Sequence, residues 1–76
     1  MKDLVNYIAR QLVDFPDQVR VNQTDREEAI TLELHVASDD LGRVIGRDGR
    51  TVKAMRTLLS AASAHRGKRI VLEIPD

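Results

Sequence analysis

Apolar residues recur along the chain with two periods, and the alternation between them predicts six elements. Between Lys2 and Asp14, Leu4, Ile8 and Leu12 repeat every four residues with Val5, Ala9 and Val13 beside them, the stripe of an amphipathic helix. Phe15-Pro16 ends that segment, because a residue preceding proline is pushed out of the helical region. A short strand is predicted over Gln18–Asn22, with Val19 and Val21 on one face, and a polar loop over Gln23–Glu28. The period of two is clearest at Ile30, Leu32, Leu34 and Val36, which alternate with Thr31, Glu33 and His35 as in a half-buried strand. Ser38-Asp39-Asp40 reads as a helix start, where serine or aspartate caps open amides and acids suit the helix dipole. Gly46 and Gly49 cut that helix short. A longer helix follows from Arg50 to about Ala64, with Val52, Met55, Leu59 and Ala62 on its buried face. His65-Arg66-Gly67-Lys68 reads as a tight loop, and Arg69–Ile74 as a last strand carrying Ile70, Leu72 and Ile74 on one side.

The order α-β-β-α-α-β predicts a two-layer α+β domain, a three-stranded sheet covered on one face by helices. The strand Ile30–Val36 is expected in the middle, and the two-helix crossover allows a parallel pair with the last strand. No repeat, low-complexity run or linker divides the 76 residues, which are expected to form a single domain, 1–76. Tyr7 and Phe15 are its only aromatics, so the core is aliphatic and thin, and self-association would strengthen it.

Composition adds exclusions. Without cysteine there is no disulfide framework and no thiolate metal site, which fits a reducing compartment. No stretch reaches the roughly 20 apolar residues of a membrane span, and the first residues, Met1-Lys2-Asp3-Leu4-Val5-Asn6-Tyr7, lack the apolar run of a signal peptide. A cytoplasmic protein without membrane attachment is expected. The formal net charge of zero argues against a nucleic-acid binder until its distribution is considered. Residues 1–40 carry four basic residues against nine acids, a net of −5, whereas residues 41–76 carry eight against three, a net of +5. Such segregation points to a polyanion-binding face in the second half.

That half contains the informative segment, two helices joined by Gly46-Arg47-Asp48-Gly49. A phosphate backbone can approach peptide amides closely only where no Cβ intervenes, and amides opening a helix are available to an anion. Arg43, Arg47, Arg50, Lys53 and Arg56 surround the glycines, with Asp48 the one acid among them. Arg50, Lys53 and Arg56 repeat every three residues and read as a cationic strip that attracts phosphates in a salt-dependent way. Alone, a four-residue glycine signature is more often a plain helix–helix turn. Its weight comes from the basic flanks and the six-element order.

The segment Leu41-Gly42-Arg43-Val44-Ile45-Gly46-Arg47-Asp48-Gly49-Arg50-Thr51-Val52-Lys53-Ala54-Met55-Arg56 closely resembles the core of KH domains. The likeness spans nearly the whole chain to small single-domain bacterial KH proteins, the KhpA-like family, and takes in Leu4–Ala9 and Lys68–Ile74. The helix-first order resembles the type II, prokaryotic arrangement. The resemblance implies a KH domain that holds about four nucleotides of single-stranded RNA between the glycine turn and the strand Ile30–Val36. It implies that Gly46, Arg47, Asp48 and Gly49 clamp the RNA backbone, that Arg43, Arg50 and Lys53 contact phosphates, and that Val44 lies in an apolar floor for bases. It further implies an RNA chaperone or post-transcriptional regulator that forms homodimers or pairs with a larger KH-domain protein, with a role in cell-envelope and cell-length control. Asp48 departs from the most favourable pattern, since a carboxylate in the loop repels phosphate, and modest affinity is expected.

Other features have plainer readings. Ile45 reads as a buried anchor, Gly42 equally as a packing glycine or a groove residue, and His35 and His65 as surface histidines. Tyr7 falls on the first helix and not on a strand, where base-stacking platforms are built. The glycine spacing matches neither the phosphate loop of NTPases nor the dinucleotide fingerprint. No nucleophile–base pair is visible, so neither catalysis nor a cofactor is expected. Two alternatives to RNA binding remain: an adaptor that pairs with another KH protein and has weak RNA affinity of its own, and a small-molecule phosphate binder or enzyme subunit.

Overall fold

A computed structural model describes residues 1–64 and 67–75. The elements are α1 (Lys2–Leu12), β1 (Arg20–Asp25), β2 (Ala29–His35), α2 (Leu41–Ile45), α3 (Arg50–Ala62) and β3 (Arg69–Glu73), with single 3-10 turns at Pro16–Gln18, Ser38–Asp40 and Arg47–Gly49. The sheet order is β1-β2-β3. β1 and β2 are antiparallel, from Arg20↔His35 to Asp25↔Ile30, and β2 and β3 are parallel, from Ala29↔Arg69 to Glu33↔Glu73. This is the expected α+β arrangement of KH type II, with a mixed sheet and helices over one face. The period-two strand is central: Ile30, Leu32 and Leu34 are buried, and together with Val5, Ala9, Val44, Met55, Leu59 and Leu72 they form the aliphatic core.

Several boundaries differ from the sequence pattern for identifiable reasons. Helix α1 stops at Leu12 instead of Asp14, and Val13 is already extended at φ −101°, ψ 160°. The next two amides are taken elsewhere: Asp14 N–H donates to Asp40 Oδ1 at 3.0 Å and Phe15 N–H to Asp40 Oδ2 at 3.1 Å. Asp40 therefore does not cap its own helix as expected. The buried line of α1 is Val5 and Ala9, while Leu4 and Leu12 remain 40% and 36% exposed.

The first strand is displaced from Gln18–Asn22 to Arg20–Asp25, and the first half of the expected loop over Gln23–Glu28 is strand. Only Arg26–Glu28 turn, with Arg26 N–H donating to Ala29 O at 2.8 Å. The polar residues Asn22–Asp25 are exposed on an edge strand, where the ladder to β2 does not depend on side-chain polarity. At the end of α3, Ala62 is exposed and Ser63 is buried. Position 63 lies four residues beyond Leu59 on the inward line, and the Ser63 hydroxyl is satisfied by donating to Ser60 O at 3.1 Å. His65 and Arg66, in the expected tight loop, fall outside the described residues.

Candidate nucleic-acid interface

Helices α2 and α3 meet at the glycine turn, where each glycine has a different reason to be glycine. Gly46 has φ 78°, ψ 168° and donates its N–H to Gly42 O at 2.9 Å, closing α2. A Cβ there would collide with the Thr51 hydroxyl and lie 2.8 Å from Thr51 N, so Gly46 is required by both backbone and space. Gly49 is left-handed at φ 73°, ψ 16°, yet a Cβ would meet only Val52 Cγ1 at 3.9 Å. Between them Asp48 is also left-handed, at φ 57°, ψ 23°. Aspartate is among the few non-glycine residues that adopt this conformation readily. That backbone demand accounts for an acid in a loop whose neighbours are cationic.

The turn uses part of its own donor supply. Gly49 N–H donates to Gly46 O at 3.1 Å, and Arg50 N–H donates to Arg47 O. Arg47 and Asp48, the two residues between the glycines, are both exposed. Part of the loop's donor set is thus spent inside the turn.

The side chains divide similarly. Arg47, Asp48, Arg50 and Lys53 are exposed, and no ion pair among the described residues engages Arg47, Arg50 or Lys53. Arg43 differs from its expected role. Its Nη2 lies 2.9 Å from Asp14 Oδ2 and its Nε 3.6 Å from Asp40 Oδ1, so two carboxylates hold it at the junction of α1 and α2. Arg56 also leaves the expected strip, its Nη2 donating to Leu72 O of β3 at 3.1 Å. A spacing of three drifts backwards by about 60° per step on a helix of 3.6 residues per turn, so the strip winds from solvent at Arg50 to the sheet at Arg56.

Val44 is fully buried in the core and offers no surface to a base, contrary to its expected place in the floor. Ile45 is the half-buried neighbour, packed against the core at the mouth of the turn. Among the described residues, nothing beyond its chain neighbours and its own helix backbone lies within 4 Å of a Cβ built on Gly42, which speaks against a packing role and leaves that side of α2 open. The strand beside this surface is also not the expected one. Leu32 and Leu34 of central β2 have no exposed area, whereas β3 is an edge strand tied to α3, with half-buried Ile70 and Ile74 beside the core. Because α3 runs back along β3, its first turn lies toward the C-terminal end of that strand. The surface is thus bounded by α2, the glycine turn, α3 and β3.

The sequence reading missed two supports of this site. Asp40 fastens α1 to the start of α2, and Thr51 fills the space under Gly46. An acid three residues before an arginine was the visible signal for the first, but its amide partners lie 25 and 26 residues away. His35 lies 3.5 Å from Glu33 on its own strand, and among the described residues no cluster of histidines and acids could hold a metal ion. No helix among the described residues is long and apolar enough to cross a membrane.

A family model described as "KhpA/KhpB, KH domain" matches residues 2–74. Among curated proteins, the chain is 50% identical over 74 residues to RNA-binding protein KhpA of Clostridium acetobutylicum, covering 97% of this chain and 99% of that one. It is 47% identical over 76 residues to RNA-binding protein KhpA of Halalkalibacterium halodurans, with both chains fully covered. RNA-binding protein KhpA of Aquifex aeolicus is 46% identical over 74 residues, covering 97% and 94%. No solved structure matches the chain.

Proposed function

The chain belongs to the KhpA/KhpB KH-domain family, one of RNA-binding proteins and not of enzymes, and on that premise we propose that it binds single-stranded RNA at the glycine turn. The observation that carries the reading is the exposed Arg47-Asp48 step, bent left-handed at Asp48 between Gly46 and Gly49 and set beside Arg47, Arg50 and Lys53, cations without carboxylate partners among the described residues. The left-handed backbone at Asp48 and Gly49 grips one stretch of phosphate backbone. Gly46 keeps the turn closed, and the three cations add salt-dependent attraction. Bases then lie toward Ile45 and β3. Arg43, which two acids hold, contributes by positioning α2. On this reading the protein acts in the cytoplasm as an RNA chaperone or post-transcriptional regulator connected to cell-wall and cell-shape control.

The test is Gly49→Asp. Gly49 has room for a side chain, and Asp48 already shows that aspartate accepts this conformation, so the variant is expected to fold. Its carboxylate faces the phosphate site and should weaken binding of a four-nucleotide RNA by about tenfold or more, which corresponds to about 1.4 kcal/mol. A folded variant that binds as tightly as wild type at low salt refutes the reading.

A second reading, an adaptor that pairs with itself or with a larger KH-domain protein, is favoured by one observation. Leu58 is 54% exposed, and Ala54, Ala61 and Ala62, also exposed, lie on the same side of α3. This apolar stripe continues the Arg50 line of the helix, with Ala54 one turn and Leu58 two turns beyond it, so pairing there would bring a second chain beside the cationic turn.

A further inference from the structure

A second cationic concavity lies on the opposite edge of the sheet from β3. The cleft, of about 400 Å³, runs between α1 and the outer edge of β1. Lys2, Asn6 and Arg10 recur every four residues along α1, about 6 Å apart along its axis. Arg20 and Asn22, about 6.7 Å apart on the edge strand β1, also line the cleft, on either side of Val21, which turns the opposite way into the core. Val19 and Val21, both buried, close the bottom, and Asp3 is the one acid in the lining. None of the three cations is ion-paired among the described residues. Arg20 is tethered instead: its Nη1 donates to Asp17 O and to Val19 O, each at 2.9 Å. A guanidinium held this way loses little entropy on binding an anion. The cleft is a cationic island in the half of the chain whose net charge is −5.

We propose that this cleft is a second RNA-contact site, which takes phosphates of a strand already held at the glycine turn and so extends the bound length beyond four nucleotides. The inference rests on the RNA-binding reading of the turn. The lining favours nucleic acid over an acidic peptide. Carboxylates need donors only, whereas Asn6 and Asn22 present both donors and acceptors, which base edges require. The buried valines leave no apolar recess for the side chains of an added strand.

The experiment compares Lys2→Gln/Arg10→Gln/Arg20→Gln with wild type by fluorescence anisotropy, using single-stranded RNAs of about four and roughly 12 nucleotides across a salt series. Lys2→Gln/Arg10→Gln, which spares the backbone-bonded arginine, serves if the triple variant does not fold. The variant should bind the short RNA as wild type does. On the long RNA the magnitude of its log–log salt slope should fall by about 2 for three lost phosphate contacts. Wild-type affinity and slope on both lengths would overturn the proposal. So would a polyglutamate peptide that binds wild type as tightly as the long RNA through the same three side chains, because the cleft would then be a peptide site. If Gly49→Asp leaves short-RNA binding intact, the reading of the turn fails by a different measurement, and the two failures remain distinct.

Discussion

Asp40→Asn should be among the most damaging single-atom changes in this chain, although Asp40 touches no ligand. The carboxylate is 1% exposed, and each oxygen accepts one main-chain N–H, from Asp14 at 3.0 Å and Phe15 at 3.1 Å. Hydrogen bonds to a charged group contribute about 1.5–3 kcal/mol each, and an enclosed donor left without an acceptor costs about 1–3 kcal/mol. The amide keeps one acceptor of lower charge and turns an NH2 toward the other donor, so one bond is lost and one weakened. The loss of the distant Arg43 contact adds little, because that arginine is half exposed and retains Asp14. The expected cost is about 2–3 kcal/mol. The whole domain, at about 0.05–0.15 kcal/mol per residue, is stable by about 4–11 kcal/mol. Urea unfolding followed by circular dichroism should show the midpoint fall with the slope unchanged, and Tm should drop by roughly 10 °C or more. Asp39→Asn, at an exposed position in the same turn, is the control and should stay within about 0.5 kcal/mol of wild type. If the two variants are equally stable, the clamp between α1 and α2 is not a stabilising feature.

The two glycines of the turn should separate under the same assay. Gly46→Ala combines a backbone conformation reserved for glycine with a collision against Thr51 and should cost about 3 kcal/mol or more, whereas Gly49→Ala, with space around it, should cost about 1 kcal/mol or less; equal losses would show that space at Gly46 is not limiting. Leu58→Glu should leave the midpoint of unfolding of a monomer unchanged and shift sedimentation toward a smaller species if the α3 stripe is a pairing surface. Identical sedimentation of variant and wild type across concentration would remove that stripe as the contact.

What the sequence disclosed follows from the range of the interactions involved. β2 and α3 were legible because each buries one face, so period two and period 3.6 were written into consecutive residues. The glycine turn was legible because left-handed backbone at Gly49 and close approach at Gly46 both exclude most side chains. The existence of β1 was legible from Val19 and Val21 but its far end was not, because an edge strand exposed along most of its length has the composition of a loop. The resemblance places Arg43 on phosphate, and the spacing of three places Arg56 in the cationic strip. Asp14 lies 29 residues from Arg43 and Leu72 lies 16 from Arg56, and only the folded chain brings these partners together. Val44's burial was not legible, because a five-residue helix is too short for periodicity to show which of two adjacent apolar residues faces inward.

The division of charge explains how a chain of zero net charge can hold a polyanion. Acids and bases do not cancel uniformly. Asp14 and Asp40 neutralise Arg43 at the α1–α2 junction, and the carbonyl of Leu72 occupies Arg56, so two of the five basic residues around the glycines serve the fold. Arg47, Arg50 and Lys53 remain for phosphate, beside the exposed left-handed bend at Asp48. With three cations the salt slope on a short single strand is limited to about −2, at −0.7 per neutralised phosphate. The magnitude of binding is then limited by this small set of contacts, and raising affinity requires either a second cationic surface on the same chain or a second chain. A short RNA showing a much steeper slope than −2 on the monomer would mean that Arg43 or Arg56 abandons its partner when RNA arrives. In that case the ion pairs that close the α1–α2 junction are part of the binding equilibrium and not a fixed frame for it.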